Sequence, residues 1–519
     1  MIVTLDYLII GAGPAGLQLA ALLEADGKRD YLVLERAAAP GAFFARFPRH
    51  RQLISINKPH TGSDDPELNL RLDWNSLLSD DPALLFTAYT ERYFPDADLM
   101  VQYLADFAAK TGVRVRYDTA VSRVTKKDGV FEVTAGETTF LARQLIVATG
   151  VGRAYKPDIP GFELAEGYAE MSVDPRDFLD QKVLVIGKGN SAFETAENLM
   201  ETTTLIHVAG PSSVRMAWRT HYVGHLRAVN NNFLDTYQLK SANAILDGTI
   251  KSIERSGDGF KVTFSFSRVD EVIKELHYDR VLACTGFRFD DSIFDDSCRP
   301  ELVINDRFPA QTPEWESPNV PGLFFAGTIS QVRDFKKSTS GFIHGFRYAV
   351  RALHKILERR YADTPWPAEK VDATPETITD AIITRVNRTS GLWQQFGFLA
   401  DVVTVAGADA RYHDEVPVDY FAEAGLGVAE HAFVITLEYG PEHDQVDPFD
   451  ITVSRVAQDT VGQAHDAAYL HPVVRYHRGG EVVATHHLAE NLENRWDRPD
   501  VHVAPLAAFV GRCLAGTES

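Results

Sequence analysis

The chain has 519 residues, of which 45% are hydrophobic and 24% are charged, and its formal net charge is -20. This composition is typical of a globular protein of about three domains. The acidic charge argues against general binding to nucleic acid or to an anionic membrane surface. No segment approaches the roughly 18 consecutive apolar residues of a membrane span.

The three cysteines, Cys284, Cys298 and Cys513, lie far apart and form no C-x-x-C pair. This usage indicates a reducing compartment. It also argues against a dithiol–disulfide reductase, because such an enzyme needs a thiol pair beside its flavin. Residues 1–10 show no basic n-region and no small-residue cleavage site, so we expect a cytoplasmic location.

The chain opens with a β-α-β pattern: an apolar strand at 5–10, helical spacing at 17–23 and a second strand at 31–35. Residues 41–95 are irregular, and we interpret them as long loops over an active site. A helix is predicted at 99–110, and strands are predicted at 113–117, 120–126, 130–135 and 144–148.

A second β-α-β unit begins at Lys182, with strands at 183–186 and 204–209 around a helix at 192–200. A basic, aromatic segment follows at 218–239. The pattern then predicts strands at 250–253, 261–266, 280–283 and 322–326, and a long amphipathic helix at 341–358.

A boundary with two prolines stands at 362–368, and the pattern beyond it is β-rich. Strands are predicted there at 433–439, 451–456, 473–476 and 482–486, with a tight hairpin turn at 478–481. We therefore predict an α/β fold with two Rossmann-like, three-layer dinucleotide-binding domains and a small C-terminal β-rich domain. The expected divisions are a first dinucleotide-binding domain at 1–160 and 281–362, a second at 161–280 and an accessory domain at 365–519.

A G-x-G-x-x-G fingerprint occupies residues 11–16, between the first strand and the first helix. Its glycines permit a tight turn and a close approach of the backbone to a pyrophosphate, while the helix N-terminus offers N–H donors. Glu35, at the end of the next strand, can accept from ribose hydroxyls. The residues expected to bind FAD are Gly11, Gly13, Pro14, Ala15, Gly16, Glu35, Arg36, Gly150, Gly327, Thr328, Gly341 and Phe342.

The second fingerprint, at residues 187–192, has alanine in place of the third glycine. The strand that ends at Ala209 carries no acid, and arginines follow it. An arginine there binds a 2′-phosphate that an acid would repel, so the sequence favours NADPH over NADH. The residues expected to bind NADPH are Gly187, Gly189, Asn190, Ser191, Ala192, Ser212, Arg215, Arg219 and Gly286.

The chain resembles the flavin-containing and N-hydroxylating monooxygenases with two dinucleotide domains. It resembles more closely the FAD-dependent oxidoreductase-domain proteins related to an endoplasmic-reticulum degradation factor. The strings that carry this resemblance are GKGNSAFETAENL, RTHYVGHLRAVNNNFLDTYQLKS, CTGFRFDDSIF and FAGTISQVRDFKKSTSGF, with VDYF, LEYG, DPF and LHPVVRYHRGG in the tail. The signal peptide and retention tail of the endoplasmic-reticulum members have no counterpart here, so we do not expect their cellular role.

The resemblance implies a single-component, NADPH-dependent flavin monooxygenase. One oxygen atom would pass from a C4a-hydroperoxyflavin to a heteroatom of a small polar metabolite, most simply by N-hydroxylation of an amine. It also implies that Asn57, with Lys58 beside it, lies near the flavin and helps to hold that adduct. The alternative for Asn57 is a cap of a turn.

Arg333, Lys336 and Lys337 form a basic cluster that fits either a substrate carboxylate or solvated charge. The expected partners are a small-molecule substrate and O2, without a metal, and the assembly is left open between a monomer and a homo-oligomer. Two other functions fit the sequence. One is an NAD(P)H:acceptor flavin oxidoreductase or oxidase without oxygen transfer. The other is a redox-sensing scaffold whose C-terminal domain binds a protein.

Overall fold

The computed structural model describes residues 4–239, 242–267, 272–426 and 429–516. Three large sheets and two two-stranded sheets organise these residues, and the first and second large sheets are joined by two crossings of the chain. The elements of the first part are β1 (Thr4–Ile10), α1 (Pro14–Asp26), β2 (Tyr31–Leu34), α2 (Ala42–Arg46), α3 (Pro66–Asn69), α4 (Ala97–Thr111), β3 (Val115–Arg116), β4 (Val121–Lys127), β5 (Val130–Ala135), β6 (Thr138–Val147) and β7 (Arg153–Ala154).

The next part of the chain builds the second sheet and then returns to the first. Its elements are β8 (Glu166–Gly167), β9 (Lys182–Ile186), α5 (Asn190–Leu199), β10 (Leu205–Gly210), α6 (Ala217–Thr220), α7 (Asn232–Gln238), β11 (Ala244–Ser256), β12 (Gly259–Phe266), β13 (Ile273–Tyr278), β14 (Arg280–Ala283), β15 (Phe287–Arg288), β16 (Leu302–Val303), β17 (Phe308–Pro309), β18 (Leu323–Phe325) and α8 (Ile343–Ala362).

The last part forms the third sheet with its covering helices. Its elements are β19 (Glu369–Asp372), α9 (Pro375–Arg388), α10 (Gly391–Gln394), β20 (Leu399–Ala406), β21 (Asp409–Pro417), α11 (Val418–Ala424), β22 (His431–Glu438), β23 (His471–Arg478), β24 (Glu481–His487) and α12 (Ala504–Ala515).

The first sheet has the order β3-β2-β1-β6-β5-β4, with β18 beside β6. Parallel pairing places Ile9 opposite Val33 on one side and opposite Ile146 on the other. These central strands are buried on both faces, which is why their sequences are nearly continuous apolar runs. Because the first sheet and its helices build a parallel α/β core, the predicted fold class is confirmed here.

The second sheet has the order β13-β12-β11-β10-β9-β14-β8. Strands β11, β10, β9, β14 and β8 run parallel, and β12 and β13 extend the sheet in antiparallel fashion. Short strands β7 and β15 pair with each other, with Phe287 opposite Ala154. The two chain crossings between the first and second sheets therefore run side by side.

The third sheet is antiparallel, with the order β19-β21-β20-β22-β23-β24. One face packs on α9 and α12, through residues such as Ile382 and Val510. The opposite face packs on α8, where Val402 and Val434 share a core with Leu353. The C-terminal region is β-rich as predicted, and it shares a hydrophobic core with the first sheet's helices. The division of the chain into three domains at the residues given above stays a prediction.

Two C-terminal predictions have different outcomes. The hairpin is confirmed, because β23 and β24 are joined through Gly479 and Gly480. The strand predicted at 451–456 is wrong: this segment contains turns, and Ile451 is 99% exposed. Its apolar residues have no neighbouring strand to pair with, and alternation alone does not make a strand. Within the described ranges, no helix combines the length and the apolar character that crossing a bilayer requires.

Candidate functional site

The first glycine turn lies at the carboxyl edge of the first sheet, between β1 and α1. Gly11 has a φ of +106°, and a Cβ there would lie 2.7 Å from the Ala148 carbonyl oxygen. A Cβ at Gly16 would overlap the Gly11 carbonyl oxygen, whereas a Cβ at Gly13 would meet no atom within 4 Å. Packing therefore demands glycine at the outer two positions, while the space beside Gly13 is open to a phosphate at the helix N-terminus.

The Glu35 carboxylate is buried at the end of β2 and faces this turn. One oxygen, Oε2, accepts a hydrogen bond from the Ala12 amide at 2.8 Å, and Oε1 accepts one from the Ala37 amide at 2.9 Å. These bonds fix the carboxylate beside the turn, where its remaining lone pairs suit ribose hydroxyls. The neighbouring Arg36 side chain is exposed.

Strands β1, β6 and β18 are parallel neighbours, so the segments after them meet at one edge of the sheet. Gly150 follows β6 there, and Gly327 follows β18. A Cβ at Gly327 would lie 2.8 Å from the Ala15 Cβ. Thr328 Oγ1 donates to the Gly341 carbonyl at 3.1 Å, next to Phe342, which is the N-cap of α8. The structure thus brings the residues predicted to bind FAD to one edge, with Pro14 as the first residue of α1.

The second glycine turn repeats this geometry in the second sheet. Gly187 has a φ of +127°, and a Cβ there would overlap the Cys284 carbonyl oxygen. A Cβ at Gly189 would meet no atom within 4 Å. Ala192 is fully buried, so it fills the place of a third glycine by packing against the sheet. The open space beside Gly189 fits the phosphates of a nucleotide.

Asn190 links the second glycine turn to the loop after β10 through two hydrogen bonds. Its Oδ1 accepts from the Arg227 amide at 2.9 Å, and its Nδ2 donates to the His225 carbonyl at 2.8 Å. The side chain is therefore engaged within the protein. Ser191 and Gly286 instead line a cavity of about 390 Å³ at the N-terminus of α5.

The phosphate-binding arginines predicted after β10 are both exposed, as is Ser212. Arg219 Nη2 donates to the Gln445 carbonyl at 3.4 Å, and Arg215 lies beside Leu226, whose amide donates to its carbonyl at 2.9 Å. The end of β10 carries no acid. A carboxylate that sequence reasoning missed lies next to it, however, because Asp247 of β11 pairs with Gly210 and forms an ion pair with Lys188.

Asn57 and Lys58 differ sharply in their surroundings. Asn57 is fully buried, and its Nδ2 donates to the carbonyls of Thr90 and Arg92 at 2.7 and 3.3 Å. Its Oδ1 is buried without a partner among the described residues. The Lys58 side chain is exposed. These bonds join Asn57 to a neighbouring loop, and the buried oxygen leaves it one acceptor for a ligand, so both the flavin-side role and the cap of a turn stay predictions.

The predicted basic cluster is divided in the structure. Arg333 donates to one oxygen of Asp419 from both Nε and Nη2, at 2.8 and 2.6 Å, so its charge is already balanced. Lys337 is exposed. Lys336 is also exposed, and its Nζ lies 5.3 Å from the centroid of the Phe335 ring. Arg333 is therefore engaged by Asp419, whereas Lys336 and Lys337 are exposed and form no ion pair within the described residues.

An aromatic cluster that the sequence did not reveal lies at the N-terminus of α8. Trp74 stacks on His344 with 4.3 Å between ring centroids, and Phe342 lies 5.8 Å from His344. Tyr222 lies 5.9 Å from Phe342, and the Arg227 guanidinium lies 5.2 Å from the Trp74 ring. Residues 41–95 and 218–239 thus meet at the N-terminus of α8, a contact that the sequence did not predict. These particular rings could be identified only from their contacts with α8 in the structure.

Several buried polar atoms around this cluster have no partner in the described part of the chain. They are both ring nitrogens of His344, Nε2 of His225 and Oδ1 of Asn57. An unpaired buried polar atom costs about 1–3 kcal/mol, so the atoms fit a polar ligand that completes them. Burial, with the charges of Arg347 and Arg227, holds the pKa of His344 well below its ordinary value, so the ring is neutral.

The aromatic cluster connects the two glycine turns. Phe342 follows Gly341, which is bonded to Thr328 on the side of the first turn, and Arg227 is bonded to Asn190 of the second turn. Two nucleotide sites that face one desolvated cluster define a flavoprotein oxidoreductase of the two-nucleotide class. The open turns and the unpartnered polar atoms fit FAD at the first site and a nicotinamide nucleotide at the second.

Comparison with known proteins gives the family. Residues 8–327 match the family model described as "Pyridine nucleotide-disulphide oxidoreductase". FAD-dependent oxidoreductase domain-containing protein 2 of Mus musculus is 42% identical over 98% of this chain and 84% of its own length. The protein of that name from Danio rerio is 37% identical over 98% and 83%. The chain therefore belongs to the pyridine nucleotide-disulphide oxidoreductase family, whose cofactors are FAD and NAD(P)H, and it is an FAD-dependent oxidoreductase.

Solved structures share the fold at low sequence identity. A bacillithiol disulfide reductase from Staphylococcus aureus covers 70% of this chain and 100% of its own, with a TM-score of 0.54 and 19% identity. A flavin-containing monooxygenase from Stenotrophomonas maltophilia covers 69% and 99%, with a TM-score of 0.54 and 19% identity. An ornithine N-hydroxylase from Kutzneria covers 69% and 100%, with a TM-score of 0.51 and 17% identity. Reductases and monooxygenases share this fold, so the fold alone does not decide the reaction.

Proposed function

We propose that the chain is an NADPH-dependent flavin monooxygenase that transfers one oxygen atom to an amine nitrogen of a small polar metabolite. The observation that carries this proposal is the state of the thiols. Cys284, Cys298 and Cys513 are all buried, and no two of them form a C-x-x-C pair that could take electrons from a flavin. Without a protein redox relay, oxygen or a small acceptor has to take the electrons directly.

The cofactors divide between the two turns. FAD, when bound, supplies a ring that accepts a hydride from NADPH and delivers electrons to O2. The first turn and Glu35 would hold its pyrophosphate and ribose, and the N-terminus of α8 would favour negative charge on the ring. Arg215 and Arg219 would bind the 2′-phosphate of NADPH, while the Lys188 ammonium offsets the nearby Asp247 carboxylate.

The aromatic cluster supports oxygen transfer to a neutral amine. Trp74, His344 and Phe342 form a stacked, largely buried wall beside the N-terminus of α8. Burial that keeps the His344 ring neutral also lowers the pKa of an amine bound beside it, so the amine presents a lone pair. Exclusion of water protects a reactive oxygen species from decay.

The experiment measures where the oxygen goes. Purified holoprotein is supplied with NADPH, ¹⁸O2 and a panel of amines and amino acids, and NADPH oxidation, peroxide and ¹⁸O in the product are quantified together. A monooxygenase gives substrate-stimulated NADPH oxidation, one ¹⁸O atom per product and little peroxide. Stoichiometric peroxide with every compound and no labelled product would reject oxygen transfer. That result would favour the alternative, an NAD(P)H:acceptor flavin oxidoreductase or oxidase.

A further inference from the structure

Four polar side chains form a cationic bowl beside the aromatic cluster. Tyr222 and His225 come from the loop after β10, and Arg307 and Lys336 come from the segments before and after β18. We propose that this cationic bowl binds a carboxylate, so the substrate is a small molecule that carries one. The inference rests on the proposed monooxygenase function and narrows its substrate class.

The segment at 331–336 gathers these side chains. The Tyr222 hydroxyl donates to Gln331 Oε1 at 3.4 Å, at the start of the segment. At its end, the Phe335 ring contacts both cations: Arg307 Cζ lies 5.5 Å and Lys336 Nζ 5.3 Å from the ring centroid. An aromatic ring that contacts two cations holds them close to each other and limits their hydration. Both charges therefore lie at the Phe335 ring, at the end of the segment whose start contacts Tyr222.

The floor of the cationic bowl has unused hydrogen-bonding capacity. The Tyr222 and His225 rings lie 5.0 Å apart, and Tyr222 is 8% exposed. His225 Nδ1 is hydrogen-bonded to Thr220 Oγ1 at 2.6 Å, while Nε2 is buried and has no partner in the described ranges. Arg307 Nε is also buried and unpartnered there. When Nε2 carries a hydrogen, it can donate to the same anion as the Arg307 guanidinium.

The positive charge of the cationic bowl is not compensated within the described residues, where Arg307 and Lys336 form no ion pair. Burial, and then the charges of Arg215 and Arg307, hold the pKa of Lys336 below its ordinary value. Burial, and then Lys336 and Arg215, lower the pKa of His225 to about 4. The buried Asp334 carboxyl lies nearby, but burial raises its pKa to about 7, so below that pH it is mostly neutral. An anion would relieve this repulsion.

The cationic bowl lies between the N-terminus of α8 and an arginine that is proposed to bind the nicotinamide 2′-phosphate. Tyr222 lies 5.9 Å from Phe342, the N-cap of α8, which is the end of the first site opposite to the ribose-binding Glu35. Arg215, assigned above to the nicotinamide 2′-phosphate, borders the rim. A carboxylate held here would direct the rest of a substrate toward the wall of Trp74 and His344, where the oxygen is transferred.

The test uses binding rather than turnover. Benzoate and its neutral isostere benzamide are titrated into FAD-loaded protein, with and without saturating NADP⁺, and binding is followed by calorimetry. We expect benzoate to bind at least about tenfold more tightly than benzamide, also with NADP⁺ present. We expect Arg307→Gln and Lys336→Gln each to weaken benzoate about tenfold, and Arg307→Lys to retain part of the affinity.

Arg255→Gln is a matched control. Arg255 Cζ also lies over a phenylalanine ring, 4.4 Å from the centroid of Phe260, but Arg255 is near the end of β11 and is not part of the cationic bowl. This variant should bind benzoate as the wild type does. Equal binding of benzoate and benzamide, or unchanged binding in both glutamine variants, would overturn the proposal. Loss of benzoate on addition of NADP⁺, with weaker NADP⁺ binding in Lys336→Gln, would assign the cationic bowl to the nucleotide instead.

The outcomes distinguish this inference from the proposed function. If the protein prefers benzoate but transfers no ¹⁸O, the proposed anion site is retained and the proposed monooxygenase function is rejected. If the protein transfers oxygen to amines but does not prefer benzoate, the proposed monooxygenase function is retained and the proposed anion site is rejected. Thermal melting and FAD content of each variant show whether it has folded.

Discussion

Substitution of the second glycine turn distinguishes a nucleotide site from a structural turn. Gly189→Ala places a methyl group where no protein atom lies within 4 Å, so the fold should accept it. The same methyl group would stand between the helix N-terminus and a bound phosphate. Loss of a single charge-assisted N–H bond, at about 1.5–3 kcal/mol, predicts a Kd for NADPH that is about 10- to 150-fold higher.

Gly187→Ala is the matched structural variant. Its backbone has a φ of +127°, and the added Cβ would overlap the Cys284 carbonyl oxygen, so β9 or β14 has to move. We expect a loss of stability of about 3 kcal/mol or more, with a lower Tm. Gly189→Ala should keep the wild-type Tm.

The assay is anaerobic reduction of the bound flavin by NADPH in a stopped-flow instrument, with FAD content measured on the same samples. We expect Gly189→Ala to retain FAD, to lose affinity for NADPH and to approach the wild-type reduction rate at saturation. A wild-type Kd for NADPH in this variant would refute the reasoning, because the nucleotide would then not approach the turn.

Three further predictions concern stability, pH dependence and coupling. Arg385→Met should cost about 3–5 kcal/mol, because it leaves the buried Asp401 carboxylate without its cation at 3.1 Å. Burial raises the pKa of Glu194, which is hydrogen-bonded to Tyr168, to about 7 from 4.5. The folded state then binds this proton more tightly, so the contribution of Glu194 to stability should be greatest below pH 4.5 and should be lost as the pH rises through 7. Glu194→Gln should remove up to about 3 kcal/mol of that dependence. Asn57→Ala should keep FAD and NADPH oxidation but release more peroxide.

Simple measurements test these three predictions. Urea unfolding gives the free energy for Arg385→Met, with exposed Arg255→Gln as the control. The Glu194 argument fails if the wild type and Glu194→Gln show the same change in stability between pH 4.5 and 7. Wild-type coupling of NADPH to product in Asn57→Ala would remove Asn57 from the reaction.

Local sequence signals predicted the parts of the site that are themselves local. Each glycine fingerprint lies within a strand, a turn and a helix, so spacing alone was sufficient to predict both turns. The aromatic cluster has no such signature, since Trp74, Tyr222 and His344 come from segments more than a hundred residues apart. Their meeting depends on how loops pack against α8, and no short-range pattern reports that packing.

Other predictions failed or changed for a related reason. Apolar residues at 451–456 predicted a strand, but no neighbouring edge is available, and Ile451 is exposed. A basic cluster at 333–337 looked uniform in sequence, yet Asp419, which takes Arg333 out of it, lies far along the chain. Partners that are distant in sequence decided both outcomes.

The third sheet holds α8 through ion pairs. Arg351 Nε donates to buried Glu415 at 2.8 Å, and Lys355 Nζ forms an ion pair with Asp414 at 2.9 Å, so two cations of α8 are fixed to β21. The direction of the helix axis is therefore set from both ends of the chain. In the proposed arrangement, the axis of α8 points at the flavin. C-terminal substitutions that contact no nucleotide can therefore still shift the midpoint potential of the flavin.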